Sequence, residues 1–110
     1  MIIYVCICRS SDAKVLAESL HPQLGGNADQ VMRALMDRLV EIPEALPDGK
    51  RRIFSQRSQE TGDFFGDLVA VCTGGYVSMD GTEHFFHVMN EKGVFYSCIA
   101  DDTDMRRKQL

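Results

Sequence analysis

Nothing in this sequence approaches the ~18 consecutive apolar residues that a membrane-crossing helix requires. Its apolar start, "MIIYVCIC" at Met1–Cys8, meets Arg9 and polar residues at once and lacks the basic leading region of a secretory signal. Positive charge is not in excess either. Twelve Lys and Arg stand against 16 Asp and Glu, a net charge of −4, which leaves no broad electrostatic footprint for nucleic acid. The four cysteines, Cys6, Cys8, Cys72 and Cys98, form no C-x-x-C pair, so the spacing argues for reduced, buried thiols in a cytosolic protein rather than for zinc or disulfides. Phosphate-loop, nucleophile-elbow and zinc-protease signatures are all missing. "GDFFGD" is no substitute, since Phe64 and Phe65 leave no glycine-rich nest. The expectation is a non-enzyme without metal or cofactor.

What is present is ordinary globular composition, 45 % apolar and 25 % charged over 110 residues, enough for one small domain spanning 1–110. Ile2–Cys8 is rich in β-branched and aromatic residues and ends in "RSSD", a turn cluster, before the half-polar Ala13–Leu20. Together they predict an antiparallel hairpin. "NADQVMRALMDRLVEIP" then turns helical. Ala28, Val31, Met32, Leu35, Leu39 and Ile42 recur at three- and four-residue steps. Asn27 and Gln30 are spaced as a capping box, Asp29, Arg33 and Asp37 as i,i+4 pairs, and Pro43 ends the helix.

Glu44–Asp67 reads as a loop-like insertion, with "RRIFSQRS" able to form a short strand or a helical turn. Leu68–Met79 predicts a strand bent at Gly74–Gly75, joined by the Asp80–Gly81 turn to a strand at Glu83–Met89, and "NEKG" turns the chain into Val94–Ala100. Five strands and one full helix result, an α+β domain.

The chemistry-bearing residues have bland readings. His84 and His87 lie three apart, on opposite faces of a strand, and read as bridging or surface histidines. "KRRIFSQR" at Lys50–Arg57 is a weak basic patch that could touch acidic headgroups, with Ser55 and Ser58 open to phosphorylation. The first and last strands are apolar on both sides, Ile3, Val5 and Ile7 against Ile2, Tyr4, Cys6 and Cys8 in the first. Such strands imply a sheet covered on both faces, and one helix covers one face. "DDTDMRRKQL" opens as a helix opens, acids then bases, so the natural protein is expected to continue past Leu110. If it does not, the bare face predicts homodimerisation.

In this order of elements, "MIIYVCICR", the helix ending in "EIP" and "HFFHVMNEKGVFYSCIADDTDMRR" resemble the longin domain of long R-SNAREs of the vesicle-associated membrane protein class. The last stretch is similar to the endosomal and vacuolar, tetanus-insensitive type. The likeness covers roughly 1–42 and 75–110, and the 30 or so residues between helix and third strand depart from it. It implies a profilin-like, five-stranded antiparallel sheet in the order 2-1-5-4-3 with one helix on one face and the start of C-terminal helices, truncated here, on the other. It implies a non-catalytic sorting and autoinhibition module of vesicle-mediated protein transport and membrane fusion, at the cytoplasmic face of endosomal, vacuolar or other secretory-pathway membranes. The implied partners are its own SNARE motif, other SNAREs, and clathrin adaptor or coat subunits, with a membrane anchor in the full-length protein. The partner groove, between first helix and third strand, would fall on Met32, Leu35, Leu39, Val77 and Met79. The other reading is a longin-like subunit of a trafficking complex, structural in role and without a SNARE motif.

Overall fold

The structure is a computed structural model that describes residues 2–55, 72 and 74–101. Strands β1 (Ile2–Arg9) and β2 (Val15–Leu20) are followed by helix α1 (Ala28–Glu41), a 3-10 turn at Pro43–Ala45, and strands β3 (Lys50–Ser55), β4 (Phe85–Glu91) and β5 (Val94–Ala100). All five strands form one antiparallel sheet in the order β2-β1-β5-β4-β3. This is the α+β architecture expected from the sequence and the strand order that the resemblance implies.

Two hairpins and a central pairing explain the order. The β4–β5 turn has Lys92 at φ 52° and Gly93 at φ 81°. Two left-handed central residues make the tight turn whose twist matches that of the flanking strands. Glu91 therefore pairs with Val94 and the register runs on to Phe85 opposite Ala100. β5 then pairs with β1 along nearly its whole length, joining the two chain halves.

The core lies between α1 and one face of the sheet. Tyr4, Cys6 and Cys8 of β1, Phe86 and Val88 of β4, and Phe95 and Ile99 of β5 meet Val31, Met32, Leu35, Met36 and Leu39 of α1. Burying those five helix side chains is worth roughly 8–15 kcal/mol gross, before ordering entropy is subtracted. The buried stripe differs from the expected one in a single exchange. Met36 is inside, while Ile42 at the frayed end is half-buried.

The expected face assignment of β1 changes at its start. A register slip between Ile2 and Tyr4 leaves Ile3 as an extra residue. A bulge re-aims side chains, so Ile3 becomes fully buried while Ile2 joins Val5 and Ile7 on the open side.

The third strand is not where the sequence pattern put it. Among the described residues of 68–79, Gly74–Gly75 is a turn and Tyr76–Ser78 belongs to no sheet, while 68–71 and Thr73 lie outside the described residues. β3 is instead Lys50–Ser55, inside the segment read as a loop-like insertion. Three contacts dock its leading turn onto the β4–β5 hairpin. Gly49 N–H donates to Asn90 O at 2.6 Å, Asn90 Nδ2 to Leu46 O at 2.8 Å, and Lys92 N–H to Asp48 Oδ1 at 2.7 Å. With the turn so held, Lys50 falls opposite Asn90 and the ladder follows. A charged "KRR" opening suits an edge strand, where lysine and arginine discourage further pairing. The rest of the expected insertion, 56–67, and the expected C-terminal helix start, 102–110, lie outside the described residues.

Candidate functional site

The five residues expected to line a groove separate into two groups. Met32, Leu35 and Leu39 are at most 1 % exposed and hold α1 to the sheet. α1 crosses β1 and β5 rather than running beside β3. Val77 and Met79 are 58 % and 55 % exposed and sit on an irregular strap, residues 74–84, that passes the N-terminal end of α1. They are not on a strand, and the structure does not bring all five together into one open groove.

The strap is clamped at its start by Asn27. Its Nδ2 donates to Gly75 O at 2.7 Å and its Oδ1 accepts from Val77 N–H at 3.1 Å. The expected capping box is therefore replaced: Asn27 occupies the cap position of α1 but makes no side-chain bond to the helix. Beside it, Gly26 takes a left-handed φ of 53°, and an added Cβ there would meet the Met79 side chain at 3.0 Å. The missing side chain lets the Met79 thioether lie over the helix start.

A second clamp follows. Asp80 Oδ1 accepts from Thr82 N–H at 3.0 Å and from Thr82 Oγ1 at 2.7 Å, with Ser78 Oγ 3.0 Å away. The Asp80–Gly81 turn thus closes on itself instead of joining two strands. His84 Nε2 lies 3.1 Å from the same carboxylate, and Tyr76 Oη lies 2.6 Å from His84 Nδ1. A phenol donating to Nδ1 and an Nε2–H donating to Asp80 satisfies all three groups. Thr82 above all, aided by Ser78 and His84, holds the Asp80 carboxyl well below the usual carboxylate range. Burial, with the Asp80 charge adding, pushes the Tyr76 hydroxyl up to about 12, the reverse of an activated nucleophile. The Tyr76 ring packs edge-on against Phe86, centroids 5.1 Å apart, which ties the strap to the core. The arrangement holds Val77 and Met79 outward on a fixed backbone.

Both histidines differ from the surface reading. His84 and His87 are 3 % and 7 % exposed, and His84 precedes β4 rather than lying in it. Ser55, expected as a phosphorylation position, is fully buried and donates to Glu83 Oε1 at 2.7 Å, so a kinase has no access to it here. Ser58 lies outside the described residues. Arg33, expected to pair along its own helix, reaches across to Glu18 of β2, which also accepts from Tyr4 Oη at 2.6 Å.

Two further features complete the surface. On the sheet face away from α1, Ile2, Val5, Ile7, Met89, Tyr96 and Cys98 line a shallow apolar groove of about 240 Å³, with Arg51 and the buried His87 at its side. Ile2 and Tyr96 are exposed there. Under α1, Cys6 and Cys8 lie side by side, and each other's proximity together with burial pushes the Cys8 thiol up.

No protein-family model, curated protein or solved structure matches this chain. Among the described residues no helix is long and apolar enough to cross a membrane.

Proposed function

We propose that this chain is a non-catalytic binding module of the longin type, the regulatory and sorting part of a long R-SNARE acting in vesicle-mediated transport. The observation that carries this reading is the strand order β2-β1-β5-β4-β3 with the helix inserted between second and third strands. It is the order the likeness of the first 42 and last 36 residues implies. The clamped strap supports it further. It holds two large apolar side chains, Val77 and Met79, outward where a partner could meet them.

In this reading Val77 and Met79 meet the apolar face of an amphipathic segment, its own SNARE motif or an adaptor peptide. Met32, Leu35 and Leu39 lie in the core beneath and keep the helix seated. Isothermal titration with a peptide from an R-SNARE motif tests it. Val77→Ser and Met79→Ser each weaken binding several-fold and leave the unfolding midpoint near that of the parent, because both side chains are exposed. Binding through an apolar pair also depends little on ionic strength. A panel of SNARE and adaptor peptides that gives no heat would reject the reading.

The open sheet face favours a second reading, a longin-like assembly subunit that covers this face with a sister chain. The two are told apart by the coding sequence beyond Leu110. A heptad stretch of ~60 residues followed by an apolar tail of ~20 decides for the SNARE.

A further inference from the structure

Cys6 and Cys8 face the same side of β1, and each is 1 % exposed. Beside them the β1–β2 ladder slips. Ile7 pairs with Ala17 but Cys8 pairs with Val15, so Leu16 is an extra residue in β2. Such a bulge bends its strand and disrupts the ladder. Here it borders a cavity of about 110 Å³ between β2 and α1, whose wall includes Cys6, Cys8, Met36, Arg33, Asp37 and Val15. The cavity's rim reaches the surface, since Val15 is 36 % exposed and the Arg33 side chain 51 %. Three sulfur-bearing side chains from two elements thus converge on one small space with an entrance.

The spacing excludes a disulfide and suits a bridging metal. Residues two apart on a strand have Cα atoms about 6.7 Å apart with parallel side chains. A disulfide needs Cβ atoms about 3.5–4.5 Å apart, and both thiols are free. Two metal–thiolate bonds of about 2.3 Å each span about 4.6 Å in line, within reach of two side chains that lean toward a shared ion. Zinc asks for four ligands, and among the described residues no group of three or more His, Cys, Asp or Glu is placed to hold a metal. Two thiolates and a thioether, by contrast, are donors that select Cu(I).

We propose that Cys6, Cys8 and Met36 form a soft-metal site that takes one Cu(I). Binding replaces two thiol protons by one monovalent cation. The two protons leave to solvent, no electron is transferred, and the bis-thiolate complex carries one net negative charge. Arg33, fixed at the rim by Glu18, faces that charge and offsets Asp37 on the same wall.

The test uses the full chain under anaerobic, reducing conditions with Cu(I) delivered from a chromogenic chelator. One Cu(I) per chain is withdrawn from the chelator, and an ultraviolet thiolate-to-copper band appears. Cys6→Ala and Cys8→Ala each weaken binding at least tenfold, Met36→Leu weakens it several-fold, and Cys98→Ala leaves it unchanged. A second measurement needs no variant. In urea just below the unfolding transition, where transient opening lets the buried Cys6 and Cys8 react, added Cu(I) slows their alkylation, read by peptide mass spectrometry, while Cys72 and Cys98 remain as reactive as before. No copper withdrawn from the chelator, binding that survives in the Cys6→Ala/Cys8→Ala chain, or protection confined to Cys72 or Cys98 would each overturn the proposal.

Discussion

Asn27 offers a decisive perturbation, because its two available roles make opposite predictions for one substitution. As a helix cap, Asn27 would be replaced well by serine, which caps about as strongly. As a clamp, it cannot be, because serine is too short to reach Gly75 O and Val77 N–H together. The structure assigns the clamp: both side-chain bonds go to the strap and none to α1. A typical intramolecular hydrogen bond contributes about 0.5–1.5 kcal/mol net. Both bonds lie at an exposed site, so the lower part of that range applies, and the pair holds the strap by about 1–2 kcal/mol. At about 1.4 kcal/mol per tenfold, opening of the strap rises about 5- to 30-fold in Asn27→Ser. Amide hydrogen exchange at Val77 reads this directly, since its N–H is the one released. The amides of β1 and β5 exchange as before. If Val77 exchange is unchanged in Asn27→Ser, or if only Asn27→Ala has an effect and it appears as lost helix content, the clamp assignment is wrong. The same variant also lowers affinity for an apolar partner peptide, because Val77 and Met79 are no longer held in place before binding.

Other outcomes follow from the same geometry. Leu35→Ala removes a fully buried side chain between α1 and the sheet and costs about 2–5 kcal/mol in urea unfolding; Leu35→Ser is at least as damaging, so it reports on folding rather than on partner binding. The depressed Asp80 carboxyl binds a proton less readily folded than unfolded. Its stabilising contribution is therefore complete above the unfolded value of about 3.9 and is lost as pH falls further. The gap in unfolding midpoint between the parent and Asp80→Asn is constant from pH 7 to about pH 5 and narrows as pH falls below about 4; a gap at pH 2 as wide as at pH 7 would refute it. For the apolar face opposite α1, sedimentation velocity across a hundredfold concentration range tests self-association, and Tyr96→Glu, placing a charge in the groove, abolishes any dimer formed there.

The sequence by itself determined what depends on local pattern. Runs rich in β-branched and aromatic residues set β1, β4 and β5, the three- and four-residue stripe set α1, and "NEKG" set the tight β4–β5 turn, because in each case residue type and backbone preference agree. Met36, four residues after Met32, fits the same stripe. Tertiary structure decided the rest. β3 was open in the sequence only as one of two options for "RRIFSQRS", a short strand or a helical turn, because an edge strand needs no apolar run; its place comes from Gly49, Asn90 and Asp48, which are far apart in sequence from what they bind. Leu68–Met79 has the strand pattern, yet its described part forms a strap, since Asn27 and the Asp80 turn supply backbone partners that a sheet would otherwise provide. The candidate site divides the same way. Apolar residues at helical spacing were visible, but whether a side chain faces the core or a partner depends on which surfaces the fold brings against it. That is why Leu35 is sealed while Val77 stands in water, and why a bulge at Leu16 opens a cavity beside two thiols whose spacing alone promised nothing.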